Sequence, residues 1–406
     1  MDIFTVKSTE NPRLQTRSGP VVVIGAGMGG LAAAIRLAAA GMSVTLIDAG
    51  PEAGGKMRTT PSAAGPVDSG PTVLTLRGVF DDLFAVAGAR LDDHLRLIPQ
   101  DILARHLWSD GSTLDLHPDP ERNAEAIRSF AGLRAEAEFR AFATEARALR
   151  RAFEAPVMRA ARPDLVGVTR AALARPRLWP ALARRLGPNL RARFTDPRLR
   201  QLFGRYSTYV GGAPARVPAV LALIWDVEQD GVWAVEGGMA RLAQALALLA
   251  RLLGVEILPN TRVEAIEAPG GVVRAVRLPG GLRLRCASVV FNGDPAALGT
   301  GALGPDVLDA LPGGAVVPRS LSARVWTFAA RPRGVDLALH TVFFSDDEAT
   351  EFGPLAKARH PVDPTIYLCA QDRAAGHPPD GLERFELILN APPLPPADPD
   401  DPEETA

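Results

Sequence analysis

Residues 21 to 30 read VVVIGAGMGG, and the alanine-rich run LAAAIRLAAAG follows at once. A strand that is apolar at every position has no face to offer water, so it belongs in the middle of a parallel α/β sheet. Gly25, Gly27 and Gly30 keep the G-x-G-x-x-G spacing. One glycine serves the tight turn, one the close approach of a pyrophosphate, and one the close packing of helix on sheet. The spacing predicts a strand at about 20–25, a helix at about 28–41 whose free N–H groups and positive dipole end face the phosphates, and a second strand at about 43–48. That second strand, SVTLID, ends in Asp48, where a carboxylate reaches the adenosine ribose hydroxyls and disfavours a 2′-phosphate.

At 406 residues and 47% apolar content the chain can bury a sizeable core in two or three domains. A net charge of −1 gives no global attraction to polyanions, and no recognised nucleic-acid module accompanies the local charge described below. Cys286 and Cys369 are too far apart in sequence to signal a metal cluster or a disulfide framework, and are expected as buried reduced thiols. The six histidines are scattered singly, so metal catalysis has no motif. Residues 1–18 lack an apolar leader core and no long apolar run follows, which predicts a cytoplasmic protein.

The next informative stretch is AGPEAGGKMRTTPSAAGPVDSGPTVLT, residues 49 to 75. Gly54 and Gly55 permit a second close backbone approach, Lys56 and Arg58 offset phosphate charge, and Asp68, Gly70, Pro71 and Thr72 form a tight turn. A simple nicotinamide-binding unit runs from its second strand into another helix and a third parallel strand; this chain does not. The whole signature, VVVIGAGMGGLAAAIRLAAAGMSVTLIDAGPEAGGKMRT with VDSGPTVLT, resembles the N-terminus of the FAD-dependent carotenoid desaturases, relatives of bacterial phytoene desaturase within the amine-oxidase-like flavoproteins. Residues 206–266 and the segments VVFNGDPAAL and HTVFFSDDEATEF resemble later blocks of that family. GPTVLTLRGVFDDLF and LARHLWSDGSTLDLHPD look most like the branch that desaturates 1-hydroxylated carotenoids at the 3,4-position.

The resemblance implies an α/β fold in which a Rossmann-like FAD-binding domain, split into 19–100 and 230–300, carries an inserted α+β substrate and membrane-facing domain, 101–229 and 301–391. Residues 1–18 are expected to be flexible, and the acidic, proline-rich 392–406 disordered. It also implies site residues. Gly25, Gly27 and Gly30 would hold the FAD pyrophosphate, Asp48 the ribose in place of the family's glutamate, and Gly55, Lys56 and Arg58 the second approach. Asp68, Gly70, Pro71 and Thr72 would lie beside the isoalloxazine, the Val263 backbone would meet the adenine, and Asn292 to Asp294 would close the chain's second visit to the cofactor domain. Family members continue into a further glycine-rich segment that closes over FAD, so the resemblance implies either a truncated or frame-shifted product, expected to be inactive on carotenoids as it stands, or a functional shortened protein.

Desaturation needs little from side chains: a hydride leaves to flavin, the developing cation spreads along the polyene, and a proton leaves the neighbouring carbon. No general base is identifiable. Tyr209, Gly211, Gly212 and Trp233 are candidate tunnel or flavin-face residues, and Glu236 is either catalytic or an ordinary surface acid. The electron acceptor stays open between oxygen and a quinone. Between residues 147 and 205 fifteen arginines face only Glu154, Asp164 and Asp196, with apolar residues interleaved. That pattern fits either a peripheral surface for an anionic membrane, the source of a carotenoid, or a solvated arginine face. Alternatives to the hydroxycarotenoid reading are phytoene desaturation, a flavin enzyme with a soluble substrate, and a non-catalytic flavin or lipid-binding module.

The remaining pattern predicts a hairpin turning at Asp110–Gly111, helices over about 118–204, a helix AQALALLARLL feeding a short strand VEIL, and successive antiparallel strands through RVEAIEAPGGVVRAVRLPGGLRLRCASVVF. LSARVWTFAA, TIYLCA and RFELILN would complete an antiparallel sheet.

Overall fold

The computed structural model describes residues 19–160, 165–311 and 319–394. The expectations for 1–18 and for most of the acidic tail lie outside these residues. Val21–Ile24 is buried at all four positions, because it sits inside a parallel sheet ordered Ser288–Phe291, Val21–Ile24, Val44–Ile47, Glu256–Leu258. Alternate residues feed opposite layers. Val23 and Leu46 pack on the helices Met28–Ala39 and Ala240–Leu252, while Val22, Ile24 and Ile47 pack on Ile266, Val276 and Leu278. Those last residues belong to an antiparallel meander of Ala265–Glu267, Ala275–Arg277 and Arg283–Arg285. One expectation is corrected here: SVVF does not continue the meander but crosses to the parallel sheet, in register with Val21–Ile24. The short strand VEIL supplies the third parallel strand, so about two hundred residues are inserted between the second and third strands of the nucleotide-binding unit.

Within the insertion, after the strand pair Arg58–Thr60 and Val67–Ser69 and the helix Arg77–Val86, comes the predicted hairpin, Ala104–Leu107 and Thr113–Leu116, which turns through Gly111 at φ 81°. Pro120–Phe153 follows, started by Asp119, whose side chain accepts from the Glu121 N–H, with proline in the first turn, and broken at Gly132 (φ 90°). The helices between 165 and 229 close an aromatic core of Phe139, Phe142, Phe194, Phe203, Tyr206 and Trp225. Beside it lies a six-stranded sheet ordered Ser322–Ala330, Glu383–Ala391, Ile366–Ala370, His340–Phe343, Ala104–Leu107, Thr113–Leu116. All its pairs are antiparallel except His340–Phe343 with Ala104–Leu107. Cys286 and Cys369 are buried and unpaired with each other.

Candidate functional site

The three glycines of the first turn have three different neighbours. At Gly25, φ 95°, a side chain would press a Cβ to 2.9 Å from the Asn292 carbonyl oxygen. A Cβ at Gly30 would stand 1.9 Å from the Gly25 carbonyl oxygen, so helix and strand meet there through bare backbone. Gly27 is ordinary extended backbone, and a Cβ there would find nothing of the protein nearer than the Asn292 amide nitrogen at 3.4 Å. The helix it starts has no side-chain cap. A helix N-terminus without a side-chain cap, its bare backbone at Gly27 bordered by the Asn292 amide, is a cradle for an anion, and it fits a pyrophosphate.

The second glycine segment closes on the first. Gly54 N–H donates to the Ala26 carbonyl at 2.8 Å and pairs in parallel with Gly27, while Gly55, φ 59°, packs so close that its Cβ would lie 3.0 Å from the Gly27 Cα. Lys56 and Arg58 are exposed on the same loop. Asp48 ends its strand with each carboxylate oxygen held by a backbone N–H, Ala26 at 2.5 Å and Gly50 at 2.7 Å. Each oxygen keeps a further lone pair for a ribose hydroxyl. Asn260 and Thr261 donate to the carbonyls of Gly50 and Asp48, which lays the segment carrying buried Val263 alongside. Asn292, at the end of the fourth parallel strand, donates its amide to the Gly25 carbonyl at 3.3 Å.

The turn at 68–72 is laced on one side to the nucleotide-binding layers and on the other to the six-stranded sheet. Asp68 is buried, and its carboxylate accepts from Met239 N–H at 2.6 Å and Ala240 N–H at 3.1 Å. Its side chain therefore serves the start of the helix Ala240–Leu252. Burial pushes its carboxyl above the ordinary range, partly offset by those two N–H groups. Gln371 clamps the Asp68 backbone from the sheet, accepting from its N–H at 3.0 Å and donating to its carbonyl at 2.9 Å. Gly70 N–H donates to Glu386 Oε1 at 2.6 Å, and a Cβ at Gly70 (φ 119°) would lie 2.0 Å from the Lys56 carbonyl oxygen. Pro71 is exposed; Thr72 is half-buried, its hydroxyl 2.6 Å from the Tyr367 hydroxyl, which is in turn 2.7 Å from His340 Nδ1.

Glu386 is fully buried, and burial, with the nearby Asp68 charge adding, pushes its carboxyl up to about 7. His340 is equally buried and, with Arg205 nearby, is pushed down to about 3. Sequence reasoning missed Gln371, Glu386, Tyr367 and His340. The one legible signal was a carboxylate set among apolar neighbours in RFELILN. Of the tunnel candidates, Tyr209 is half-exposed and donates to Glu228, as Tyr206 does at 2.7 Å, and Gly211 accepts from Leu321 N–H. Trp233 N–H donates to Leu74 beside the turn. Glu236 is exposed and paired with Arg96, the geometry of a surface acid.

Two sets stand out among the described 147–205 arginines, and Arg175, Arg185 and Arg200 donate to backbone carbonyls besides. Arg147, Arg150, Arg159, Arg193, Arg198 and Arg205 are tied to acids, as struts within the domain. Arg170, Arg177, Arg184 and Arg191 are exposed near exposed Val166, Leu173 and Trp179 in the sequence. The excess of positive charge counted from the sequence is thus partly internal. Among the described residues no helix is long and apolar enough to cross a membrane.

A split dinucleotide sheet with an uncapped glycine turn, clasped to a second sheet, is the arrangement of a flavoprotein oxidoreductase. Residues 28–317 match the family described as flavin containing amine oxidoreductase, and the chain belongs to that family. Within it the resemblance is to carotenoid desaturases. The chain is 57% identical over 383 residues to hydroxyneurosporene desaturase of Cereibacter sphaeroides, covering 94% of this chain and 77% of that protein. It is 50% identical over 378 residues to the Rhodobacter capsulatus protein of the same name, covering 92% and 76%. An oxidoreductase structure from Methanosarcina mazei shares the fold, with a TM-score of 0.62 at 15% identity over 95% of this chain and 80% of that one. The chain is a carotenoid desaturase of the hydroxyneurosporene desaturase type, and its cofactor is a flavin.

Proposed function

We propose that the flavin is FAD and that the reaction is 3,4-desaturation of a 1-hydroxylated acyclic carotenoid. The observation that carries the substrate reading is the 57% identity, over nearly the whole chain, to a protein named for that substrate class. For FAD rather than a smaller flavin, the support is Asp48 beside the uncapped helix start at Gly27: a carboxylate with lone pairs free for a ribose, next to a cradle for a pyrophosphate, suits a dinucleotide.

FAD, when bound, supplies the hydride acceptor. The chain's own residues do the rest. Gly25, Gly27, Gly30 and Gly55 admit the pyrophosphate, with Lys56 and Arg58 offsetting its charge; Asp48 orients the ribose, and the Val263 backbone borders the adenine. Asp68, Gly70, Pro71 and Thr72 form the wall beside the ring. The test is to denature the purified chain, identify the released cofactor, and analyse pigments in cells supplied with the hydroxylated substrate. FAD and a longer-wavelength product are the expected results; a nicotinamide cofactor, or conversion of phytoene alone, contradicts the reading.

We further propose that the protein works at the surface of an anionic membrane. The exposed Val166, Leu173 and Trp179 among exposed arginines support a shallow peripheral contact, apolar residues entering the interface and guanidinium groups meeting lipid phosphates.

A further inference from the structure

We propose that the hydrogen-bonded chain Thr72–Tyr367–His340 is the subsite that recognises the substrate hydroxyl, with Thr72 making the contact. The inference rests on the FAD and hydroxycarotenoid reading above. In that reading the ligand is a hydrocarbon with one hydroxyl two carbons from the bond that loses hydrogen. The group that binds the hydroxyl must therefore stand beside the cofactor-facing turn. Burying a hydroxyl without a partner is costly in a protein interior, so an apolar channel with no polar contact would disfavour this substrate.

Thr72 lies in that turn, and counting protons shows that its chain is unfinished. Three donors, the Thr72 and Tyr367 hydroxyls and one imidazole N–H, share two contacts of 2.6 and 2.7 Å. If the bonds run from Thr72 toward His340, the spare N–H sits at Nε2. If they run the other way, Nε2 is a bare acceptor and the spare proton is on the Thr72 hydroxyl. Nε2 is buried and has no protein partner, so the deep end of the chain is closed and incomplete. The half-buried Thr72 end is the one a ligand can reach. A neutral His340 allows both directions, so Thr72 can either donate to the substrate oxygen or accept from its proton.

Two other buried acids stand in this region. Both carboxylate oxygens of Glu228 are already taken, one by Tyr206 and Arg205 and one by Tyr209. Glu386 accepts from Gly70 N–H through Oε1 and keeps Oε2 buried without a partner among the described residues, so it is the competing contact, and a preference lost in Glu386→Gln but kept in Thr72→Val overturns the assignment to Thr72.

The test uses the flavin-loaded chain in detergent and measures binding of a 1-hydroxylated acyclic carotenoid against the same carotenoid without the hydroxyl, by quenching of tryptophan fluorescence. The unaltered chain is expected to prefer the hydroxylated ligand about tenfold, the equivalent of one hydrogen bond of about 1.4 kcal/mol. Tyr367→Phe and Thr72→Val are expected to bring the ratio close to one, and Thr72→Ser to keep it. Equal binding of both ligands by the unaltered chain, or a full preference in Tyr367→Phe, overturns the proposal. Flavin content is measured on the same samples: a chain that holds no FAD fails the cofactor reading, a loaded chain that binds neither carotenoid fails the substrate reading, and a loaded chain that binds both equally fails this inference alone.

Discussion

Gly27 and Gly30 stand three residues apart in one motif, yet a methyl group added to each has a different fate. At Gly30 it collides with the Gly25 carbonyl, so Gly30→Ala is expected to destabilise the apoprotein by about 1–3 kcal/mol or more, read by denaturant unfolding. At Gly27 it meets no protein atom closer than 3.4 Å, so Gly27→Ala is expected to change apoprotein stability by less than about 0.5 kcal/mol while lowering FAD content at least about tenfold. Glu386 makes a prediction in pH. Its carboxyl is raised from an ordinary 4.5 to about 7, so the native state binds the extra proton between those values. The contribution is therefore fully present below about 4.5 and is lost as pH rises through about 7, on the order of 3 kcal/mol in total. Stability of the unaltered chain measured against Glu386→Gln is expected to fall over that window, and a flat difference contradicts it. Gly25, Gly27 and Gly30 were legible because their motif is local. Glu386 was not, because its carboxyl is raised by burial and by the Asp68 charge, and both come from packing against a turn more than three hundred positions away in the chain.

Alternation along a strand reports which residues share a face and is silent about the neighbour's direction. Arg283–Arg285 and Ser288–Phe291 follow one another with only a short link, and the sequence reads them as one meander; the first pairs antiparallel with Ala275–Arg277 and the second parallel with Val21–Ile24. Choosing between them requires knowing that Val21–Ile24 has an open edge, which is a property of the assembled sheet. The hairpin at Asp110–Gly111, by contrast, was readable because its turn and both strands lie within fourteen residues. The arginine-rich helices show the same limit: composition counted every guanidinium, and only packing separates the struts from the exposed set. Vesicle binding is therefore expected to respond to Arg170, Arg177, Arg184 and Arg191. Changing all four to glutamine should weaken binding to anionic vesicles several-fold and flatten its salt dependence, with FAD content unchanged, since screening over about 8 Å acts on exposed charges near physiological ionic strength. The same four changes leaving vesicle binding intact would return these residues to a solvated face.

At the scale of the whole molecule, the proposed cofactor groove draws on residues near 25–30, 48–58, 68–72, 263 and 292, and the turn at 68–72 is also the joint to the six-stranded sheet. Three groups make that joint: buried Asp68 toward the helix Ala240–Leu252, and half-buried Gln371 and buried Glu386 from the side of the sheet. A ligand that binds only the native state stabilises it by about 2.7 kcal/mol at a hundredfold excess over its dissociation constant. If the turn transmits that stabilisation, saturating FAD should slow amide hydrogen exchange not only in Val21–Ile24 and the helix after it but also in Glu383–Ala391, whose backbone forms no part of the groove. Gln371→Ala removes both hydrogen bonds to the Asp68 backbone while leaving the glycine turn untouched. In that variant FAD is expected to protect residues 21–39 as before and to lose most of its effect on residues 383–391. Equal protection of both regions in Gln371→Ala would mean that the two sheets are coupled by their apolar packing rather than by the clamped turn.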